Sequence, residues 1–297
     1  MDELAVVWIR GIDLAGQQLI TCFNPEKGMN MLSYQRAGLE VIDQTTRPLF
    51  DQRYAGLGAL IGPHFHHRNP DVIPPVKHEE LFPHIAQTKI KGTQEPFSHG
   101  IGRYAPWKVE FVSEGEIRAV LTGSQEWNGS LLKDLEGQDF VMRYQAKLVA
   151  EGLEIDLSVK SDTESVVGLH TYYALTHGQG VVTTRVQDHY VEKSHSKSIP
   201  STWNYGVDHT LTYPLSLETD FGFHPFPNPL HAQVELACAS HSVRVEYTCD
   251  NAENSFQLWH PAGASFVCIE PLSAKDPRKP KLTVSRLKIL ISILDPI

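Results

Sequence analysis

Paired cysteines are absent from this sequence of 297 residues. Its four cysteines stand singly, and no two of them form a CxxC pair, at Cys22, Cys238, Cys249 and Cys268. The lack of such pairs argues against a zinc ribbon and against a thioredoxin-like redox motif. Each cysteine lies in a stretch that is typical of a β-strand, so we expect four reduced thiols in the core rather than a structural disulfide or a catalytic cysteine.

Long apolar runs and a basic leader are also absent. No stretch approaches 18 consecutive apolar residues, so we expect no membrane-spanning helix and no membrane partner. The first ten residues, MDELAVVWIR, carry Asp2 and Glu3 before a short apolar run, which is the reverse of a secretory signal. We therefore expect a cytoplasmic protein.

Positive charge is scarce. The chain has 26 Lys and Arg against 35 Asp and Glu, a formal net charge of -9, and no basic stripe. Because a phosphate backbone is bound by concentrated Lys and Arg, nucleic acid is not expected as the main partner.

Repeats, flexible linkers and clear helices are missing as well. No internal repeat or Ser/Gly linker divides the chain, so we expect a single domain over residues 1–297. The Pro-rich regions 70–83 and 225–229 predict surface loops. No window of about 12 residues keeps a helical apolar period between caps, and only region 124–137 indicates a helical turn.

Strand patterns are abundant instead. Residues 140–162 alternate apolar and polar side chains on both sides of Glu151-Gly152, and residues 233–249 do the same around residues 240–242. Both patterns predict antiparallel hairpins. Several further β-branched and aromatic runs are bounded by Gly, Pro, Asp or Asn. The sequence therefore predicts an all-β protein, a large antiparallel β-sandwich.

One of these strands, SFVCIEP, carries an acid among apolar residues. With a period of two, Glu270 shares a face with Phe266 and Cys268. A buried carboxylate needs compensating charge or hydrogen-bond donors, which indicates a partner or a polar cavity. Alternatively, Glu270 ends its strand at Pro271 and is exposed to solvent.

A second strand, VVGLHTYYAL, carries a histidine. Alternation places His170 on one face with Val166, Gly168 and Tyr172, beside a small residue that leaves room for a ligand. Histidine is the side chain best suited to exchange a proton near neutral pH, so His170 and Glu270 are candidates for an acid/base pair. A core histidine satisfied by hydrogen bonds is the alternative.

Two loops hold further candidates. IGPHFHHRNP places His64, His66, His67 and Arg68 close together, and FSHGIGRYAPW places His99 and Arg103 around two glycines, before Trp107. His64 and His66 alternate onto one face, which suits a metal, and a cupin-type site would add Glu79 or His84. A ligand-binding rim is the other interpretation.

Taken in order, these stretches resemble the aldose 1-epimerase (galactose mutarotase) family, including its hexose-6-phosphate epimerase branch. The similar stretches cover nearly the whole chain: GMNMLSYQRAGLEVID, LGALIGPHFHHR, HGIGR, LHTYYAL, YGVDHT and FVCIEP. The resemblance implies a β-supersandwich that binds a sugar or sugar phosphate and interconverts its anomers without a metal or cofactor.

The resemblance also implies roles for single residues. If its pKa stays near the reference of about 4.3, Glu270 is ionised at neutral pH and would take the proton of the anomeric hydroxyl, and His170 would protonate the ring oxygen. The implied substrate-binding residues are Arg68, His99, Arg103 and Asp208, with His64 and His66 lining the same cavity.

The sequence leaves open whether the substrate is phosphorylated and whether the protein is an enzyme. Arg68, Arg103 and Lys108 could form a cationic rim for a sugar phosphate, or they could pack over aromatic rings. Ser98 stands where the hexose-phosphate branch usually has Gln, which weakens the case for a phosphorylated substrate. A non-catalytic carbohydrate-binding protein on the same fold is the rival that is not an enzyme.

Overall fold

The computed structural model of the chain describes residues 6–66, 73–92 and 94–296. Within these residues, 20 strands are joined by hydrogen-bonded pairs, all of them antiparallel. They fall into two layers, numbered here along the chain.

The first layer contains, in spatial order, β1 (Val7–Ile12), β2 (Gln18–Asn24), β3 (Asn30–Arg36), β5 (Gly58–Ile61), β12 (Gly168–Ala174), β21 (Phe266–Leu272), β20 (Ser255–His260), β17 (Thr219–Pro225), β13 (Val181–Glu192) and β14 (His195–Ser198), with β4 (Leu39–Glu40) paired to β3.

The second layer contains β6 (Lys108–Val112), β7 (Glu116–Thr122), β10 (Phe140–Val149), β11 (Gly152–Ser161), β22 (Val284–Leu294), β19 (Ser242–Cys249), β18 (His231–Ala237), β13, β16 (Thr210–Pro214) and β15 (Asn204–Tyr205). Strands β8 (Glu126–Trp127) and β9 (Ser130–Leu131) form a separate hairpin.

Strand β13 belongs to both layers. Residues 181–185 pair with β16 and β18 in the second layer, whereas residues 186–192 pair with β17 and β14 in the first. The layers face each other across a common core, where Phe23 of the first layer packs edge-on against Tyr144 of the second with ring centroids 5.8 Å apart. The Tyr34 hydroxyl donates across this core to the Ile291 carbonyl at 3.1 Å.

The predicted β-sandwich is confirmed, and so are both predicted hairpins. Their innermost pairs are Val149 with Gly152 and Ala237 with Ser242. All four cysteines are buried free thiols. No helix of the described residues is long and apolar enough to cross a membrane.

The helix prediction is correct in one place and incomplete in two. Helix α3 (Leu132–Glu136) lies inside the predicted region 124–137. Helices α1 (Arg47–Arg53) and α2 (Pro83–Ile90) were not expected, because their seven and eight residues are too short to show a helical apolar period. The predicted loop 70–83 therefore ends where α2 begins, and its residues 70–72 lie outside the described residues.

Candidate active site

His170 and Glu270 lie opposite each other on neighbouring strands. The register of β12 and β21 pairs Thr171 with Ile269 and Tyr172 with Cys268, which places His170 against Glu270. The two side chains are 8% and 5% exposed, and His170 Nε2 lies 3.3 Å from Glu270 Oε1. The alternative of an exposed Glu270 at a strand end is wrong, because β21 continues to Leu272.

The predicted alternation places both residues outside the sandwich core. Val167 and Leu169 on β12 and Val267 and Ile269 on β21 belong to the large core cluster. The opposite face carries a smaller cluster, composed of Tyr172, Phe266 and Cys268. The acid/base pair thus stands on the outer face of the first layer, held by two rigid strands.

A polar pocket of about 290 Å³ covers this outer face. Its lining combines the pair with aromatic, cationic and amide side chains: Arg53, Phe65, His66, Ser98, His99, Arg103, Tyr104, Tyr172, Asp220, Gln257, Trp259 and Arg278, with Ala55, Thr88 and Lys91 at the edge. Ligand pockets span roughly 300–1,000 Å³, so this one suits a ligand the size of a single sugar ring.

Burial changes the protonation of the pair. Desolvation raises the pKa of Glu270 from 4.5 to about 7, and the nearby Asp220 carboxylate adds to this rise. Burial holds the pKa of His170 well below 6.5, and the positive charge of Arg103 acts in the same direction. The pKa of Glu270 therefore does not stay near its reference of about 4.3, because the carboxylate has lost most of its hydration.

Cys268 contacts the pair from below. Its Sγ lies 3.2 Å from His170 Nδ1 and is hydrogen-bonded to Glu270. Since the imidazole has one partner on each nitrogen, its ring orientation is determined on both sides. The sequence predicted Cys268 only as a core residue, and the signal available was its position two residues before Glu270 on the same strand face.

The segment from Phe97 to Tyr104 forms one wall of the pocket. The Gly62 amide at the end of β5 donates to the His99 carbonyl at 2.8 Å, and the Gly102 amide donates to the Gly62 carbonyl at 2.9 Å. His99 has a positive φ of 71°, and its ring packs edge-on against His170 with centroids 5.0 Å apart. His99 and Arg103 are thus brought to the pair as expected.

Arg103 is buried in this wall. Its Nε donates to the Tyr54 carbonyl at 2.8 Å, and the side chain lines the pocket beside His170. Trp107, which the sequence placed near the same loop as an aromatic candidate, lies in the core instead and donates from Nε1 to the Gly102 carbonyl at 2.9 Å.

His64 and His66 are held by carboxylates. His64 Nδ1 lies 2.5 Å from Glu136 Oε1, and its Nε2 lies 2.8 Å from Glu95 Oε1. Because both nitrogens face carboxylate oxygens, the ring is an imidazolium. Burial opposes the charge, but the two carboxylates outweigh it and raise the pKa of His64 to about 10. Glu95 also holds His66 Nδ1 at 2.9 Å, and of the two histidines only His66 lines the pocket.

Glu79 and His84 do not complete a cupin-type metal site with His64 and His66. Glu79 pairs with Lys89, and His84 Nε2 donates to the Pro96 carbonyl at 3.2 Å, so neither joins His64 and His66. Among the described residues, the His, Cys, Asp and Glu donor atoms that lie within 4.8 Å of one another belong to His170, Cys268 and Glu270. The positive charges of Arg103 and Arg278 act on Glu270 and oppose a dication at that place.

Of three other expected residues, two lie away from the pocket and one lies outside the described residues. Asp208 is exposed in a turn, where it accepts hydrogen bonds from the Thr210 amide and hydroxyl at 3.2 and 2.8 Å. Its turn belongs to the β15–β16 hairpin of the second layer, far in the strand order from β12 and β21. Lys108 is exposed on β6 of the same layer. Arg68 lies outside the described residues.

The pocket contains cations that the sequence did not single out. Arg53, at the end of α1, and Lys91, just after α2, line the same wall as Arg103, and Arg278 lines the opposite edge. Burial and then Arg103 lower the pKa of Arg53, while burial and then Arg53 lower the pKa of Lys91. In the described part of the chain none of these four cations forms a salt bridge. Among the described residues, the pocket thus holds four cations and two carboxyl groups, those of Asp220 and Glu270.

Comparison of the sequence with protein-family models and with curated proteins gave no match. Solved structures do match over almost the whole chain. The aldose epimerase homologue from C. elegans has a TM-score of 0.66 at 12% identity, covering 99% of this chain and 100% of that one.

The galactose mutarotase-like protein from Lactobacillus casei has a TM-score of 0.64 at 14% identity, covering 97% and 100%. That from Clostridium acetobutylicum has a TM-score of 0.62 at 12% identity, covering 98% and 99%. The fold is that of the galactose mutarotase-like proteins. At such identities the likeness concerns the fold, and the chemistry has to be argued from the pocket.

Proposed function

We propose that this chain interconverts the α and β anomers of a sugar that carries an anionic group. The observation that carries the proposal is the buried pair of His170 and Glu270, 3.3 Å apart at the floor of a pocket of about 290 Å³. The names of the fold neighbours, an aldose epimerase homologue and galactose mutarotase-like proteins, support the same reaction class.

The reaction needs one acid and one base. One partner of the pair takes the proton from the anomeric hydroxyl while the other gives a proton to the ring oxygen, and the bond from C1 to the ring oxygen breaks. The open aldehyde rotates about its C1–C2 bond. The ring oxygen then returns its proton and attacks either face of C1, while the aldehyde oxygen regains a proton from the first partner. No atom is gained or lost.

A single proton on the pair is sufficient for this cycle. The high pKa of Glu270 and the low pKa of His170 place that proton on the carboxyl group of the empty pocket at neutral pH. Its transfer to His170 across the contact between them gives an imidazolium acid and a carboxylate base. We assign the base to Glu270 and the acid to His170.

The pocket walls suit a sugar ring. Trp259 and Tyr172 present aromatic faces, with centroids 5.7 Å apart, on which the apolar face of a pyranose can pack. Asp220 and Gln257 offer acceptors and a donor for hydroxyl groups. We assign substrate contacts also to His99, His66 and Arg103. The role of Arg68 stays a prediction, and Asp208 and His64 do not line the pocket.

The anionic group follows from the cations of the pocket. Arg53, Lys91 and Arg103 line it without a salt bridge in the described part of the chain, and like charges held together in a partly buried site favour the binding of an anion. Arginine binds phosphate and carboxylate by paired hydrogen bonds. A hexose phosphate or a uronic acid meets this requirement.

An NMR anomer-exchange assay tests the proposal on free hexoses, pentoses, their 6-phosphates and uronic acids. We expect acceleration for at least one anionic sugar. Glu270→Gln and His170→Asn should each retain the fold and lower the rate by roughly 10²-fold or more, because each removes a positioned acid or base.

The chain offers a matched control. His231 and Glu246 are also a cross-strand pair, with Nε2 and Oε1 3.3 Å apart, but they are partly exposed on the second layer. His231→Asn and Glu246→Gln should leave the rate unchanged. Sugar binding with no acceleration by the wild-type protein would contradict the proposal and favour a carbohydrate-binding protein.

A further inference from the structure

A second cavity opens beside the pocket. It has a volume of about 510 Å³ and shares three lining residues with the pocket: Asp220, Gln257 and Arg278. Its other walls come from the β13–β14 hairpin, from β17 and from the loop after β21: Val191, Lys193, Ser194 and Ser196, then His224, and then Lys275, Asp276 and Pro277. Because the two spaces share lining residues, they adjoin each other, and a ligand in the pocket can extend into the second cavity.

The strand order places this cavity away from the cationic wall. Strand β21 lies between β12 on one side and β20 on the other, and β17, β13 and β14 follow β20. The segment that bears Arg103 packs against β5, beyond β12. A sugar that reacts over β12 and β21 therefore has the cationic wall on one side and the second cavity on the other.

The chemistry of the two sides differs. The cations of the first wall, Arg53, Lys91 and Arg103, form no salt bridge in the described part of the chain, which suits an anion. The second cavity mixes the cations Lys193, Lys275 and Arg278 with the carboxylates Asp220 and Asp276, two serine hydroxyls and an amide. Such a nearly balanced set of donors and acceptors matches an array of hydroxyl groups, which both donate and accept.

One buried polar atom beside this cavity has no protein partner. His224 lines the cavity, and its Nδ1 is buried without a hydrogen bond within the described part of the chain. Buried polar atoms normally have a partner, and an unmade hydrogen bond costs about 1–3 kcal/mol. A ligand hydroxyl is the kind of group that would supply it.

We propose that the second cavity is a subsite for another sugar residue, linked to the one that reacts. The preferred substrate class is then a reducing disaccharide or longer oligosaccharide, whose reducing end occupies the pocket. This inference rests on the proposed function for the placement of the reducing end. The cavity is larger than the pocket, so it has room for a second ring.

Calorimetry tests the subsite apart from catalysis. The probes are glucose, galactose, maltose, cellobiose and lactose, each free and as its reducing-end 6-phosphate. We expect at least one disaccharide to bind at least tenfold more tightly than its own reducing-end hexose. Equal or weaker binding of every disaccharide, including no measurable binding, overturns the subsite.

Two neighbouring substitutions locate the effect. Ser196 lines the cavity, whereas the side chain of Lys197 points to the other face of β14. Ser196→Trp should abolish the disaccharide gain by filling the space, and Lys197→Trp should retain it. A disaccharide gain that Ser196→Trp leaves intact would place the second ring outside this cavity and overturn the assignment.

The same samples, assayed for anomer exchange, separate the two proposals. Tight disaccharide binding that Ser196→Trp removes, without any anomer exchange, would support the subsite and contradict the epimerase. Exchange with no disaccharide gain in affinity would support the epimerase and contradict the subsite.

Discussion

At the scale of single residues, burial decides the chemistry of Glu270. An exposed glutamate would be fully ionised at neutral pH, but this one has a pKa of about 7 because water is excluded from it. Its partner His170 is uncharged in the same surroundings. A pair that shares one proton near neutral pH is suited to give and take protons in the same cycle.

The pH dependence of the proposed reaction follows from this sharing. The pair loses its one proton as pH rises through about 7, and a second proton adds only well below 6.5. We expect kcat/KM to be level near pH 6 and to fall about tenfold per pH unit above 7 to 8. The pKa of Glu270 also depends on Asp220, Arg103, Arg278 and Cys268, so the pH at which kcat/KM falls reports the combined effect of these groups. A rate that stays constant up to pH 9 would contradict this.

The burial of Glu270 also lowers the free energy of unfolding at pH values where its carboxyl group is ionised. The folded pKa of Glu270 is raised above 4.5, so the ionised form is disfavoured in the folded state. The cost is absent below pH 4.5, grows as pH rises to about 7, and is complete above it. We expect Glu270→Gln to be more stable than wild type at pH 8 by up to ~3 kcal/mol, at 1.36 kcal/mol per pH unit.

Urea unfolding at pH 8 and pH 5 measures this effect. The advantage of Glu270→Gln should shrink at pH 5, where the folded wild-type carboxyl group is already protonated. Glu246→Gln on the exposed surface serves as the control. The same stability difference at both pH values would contradict the raised pKa.

At the scale of elements, the pocket depends on how the 97–104 segment sits on the end of β5. Gly100 has a φ of +89°, and a Cβ there would lie 2.1 Å from the Gly62 carbonyl oxygen. The segment can therefore approach β5 only because residue 100 has no side chain. This approach places His99 and Arg103 in the pocket wall.

Gly100→Ala tests this packing. The clash should push the segment away from β5, lower the free energy of unfolding by about 2–4 kcal/mol, and weaken sugar binding. Gly38→Ala is the control, because Gly38 also has a positive φ, +82°, but has no atom within 4 Å of the added Cβ. It should cost only about 1–2 kcal/mol. Urea unfolding and calorimetry measure both variants, and equal effects would contradict the role of the close approach.

The elements also show where sequence patterns succeed. A period of two is visible in five to ten residues, so β10, β11, β18 and β19 were predictable with their turns. Helices of seven or eight residues complete only two turns and show no period, so α1 and α2 were missed. With them the sequence missed Arg53 and Lys91, which these helices bring to the pocket.

At the scale of the whole molecule, β13 and the shared core join the two layers. The core cluster takes side chains from both, for example Tyr34 and Tyr173 from the first layer and Tyr144 and Tyr247 from the second. Neither layer can lose its partner without exposing a large apolar surface. The single domain that the sequence predicts stays a proposal, which unfolding can test.

We expect one cooperative unfolding transition. The fluorescence of Trp203, Trp259 and Trp8 reports mainly on the regions around these residues, whereas far-ultraviolet circular dichroism reports on all strands. If the urea unfolding curves from both probes coincide, the chain unfolds as one unit. The expected midpoints agree within error. Two separated transitions would contradict the single-domain prediction.

The distribution of charge is a further property of the whole molecule. A chain of net charge -9 places four cations around one pocket, drawn from α1, the end of α2, the 97–104 segment and the loop after β21. This arrangement could not be predicted from a basic run in the sequence, because the four residues are far apart along the chain. Asp220 and Gln257 were missed for the same reason.

The sequence by itself determined the strands and the residues that share a face on each, because side-chain alternation is a local property of a β-strand. It placed His170 on one face with Tyr172 and Glu270 on one face with Cys268, and the resemblance implied the roles of the two residues as an acid/base pair. Only the tertiary structure decided that the strands are neighbours, that burial moves both pKa values, that His64 is held between two carboxylates, and that Asp208 lies elsewhere. These outcomes depend on contacts between distant segments, which no local pattern encodes.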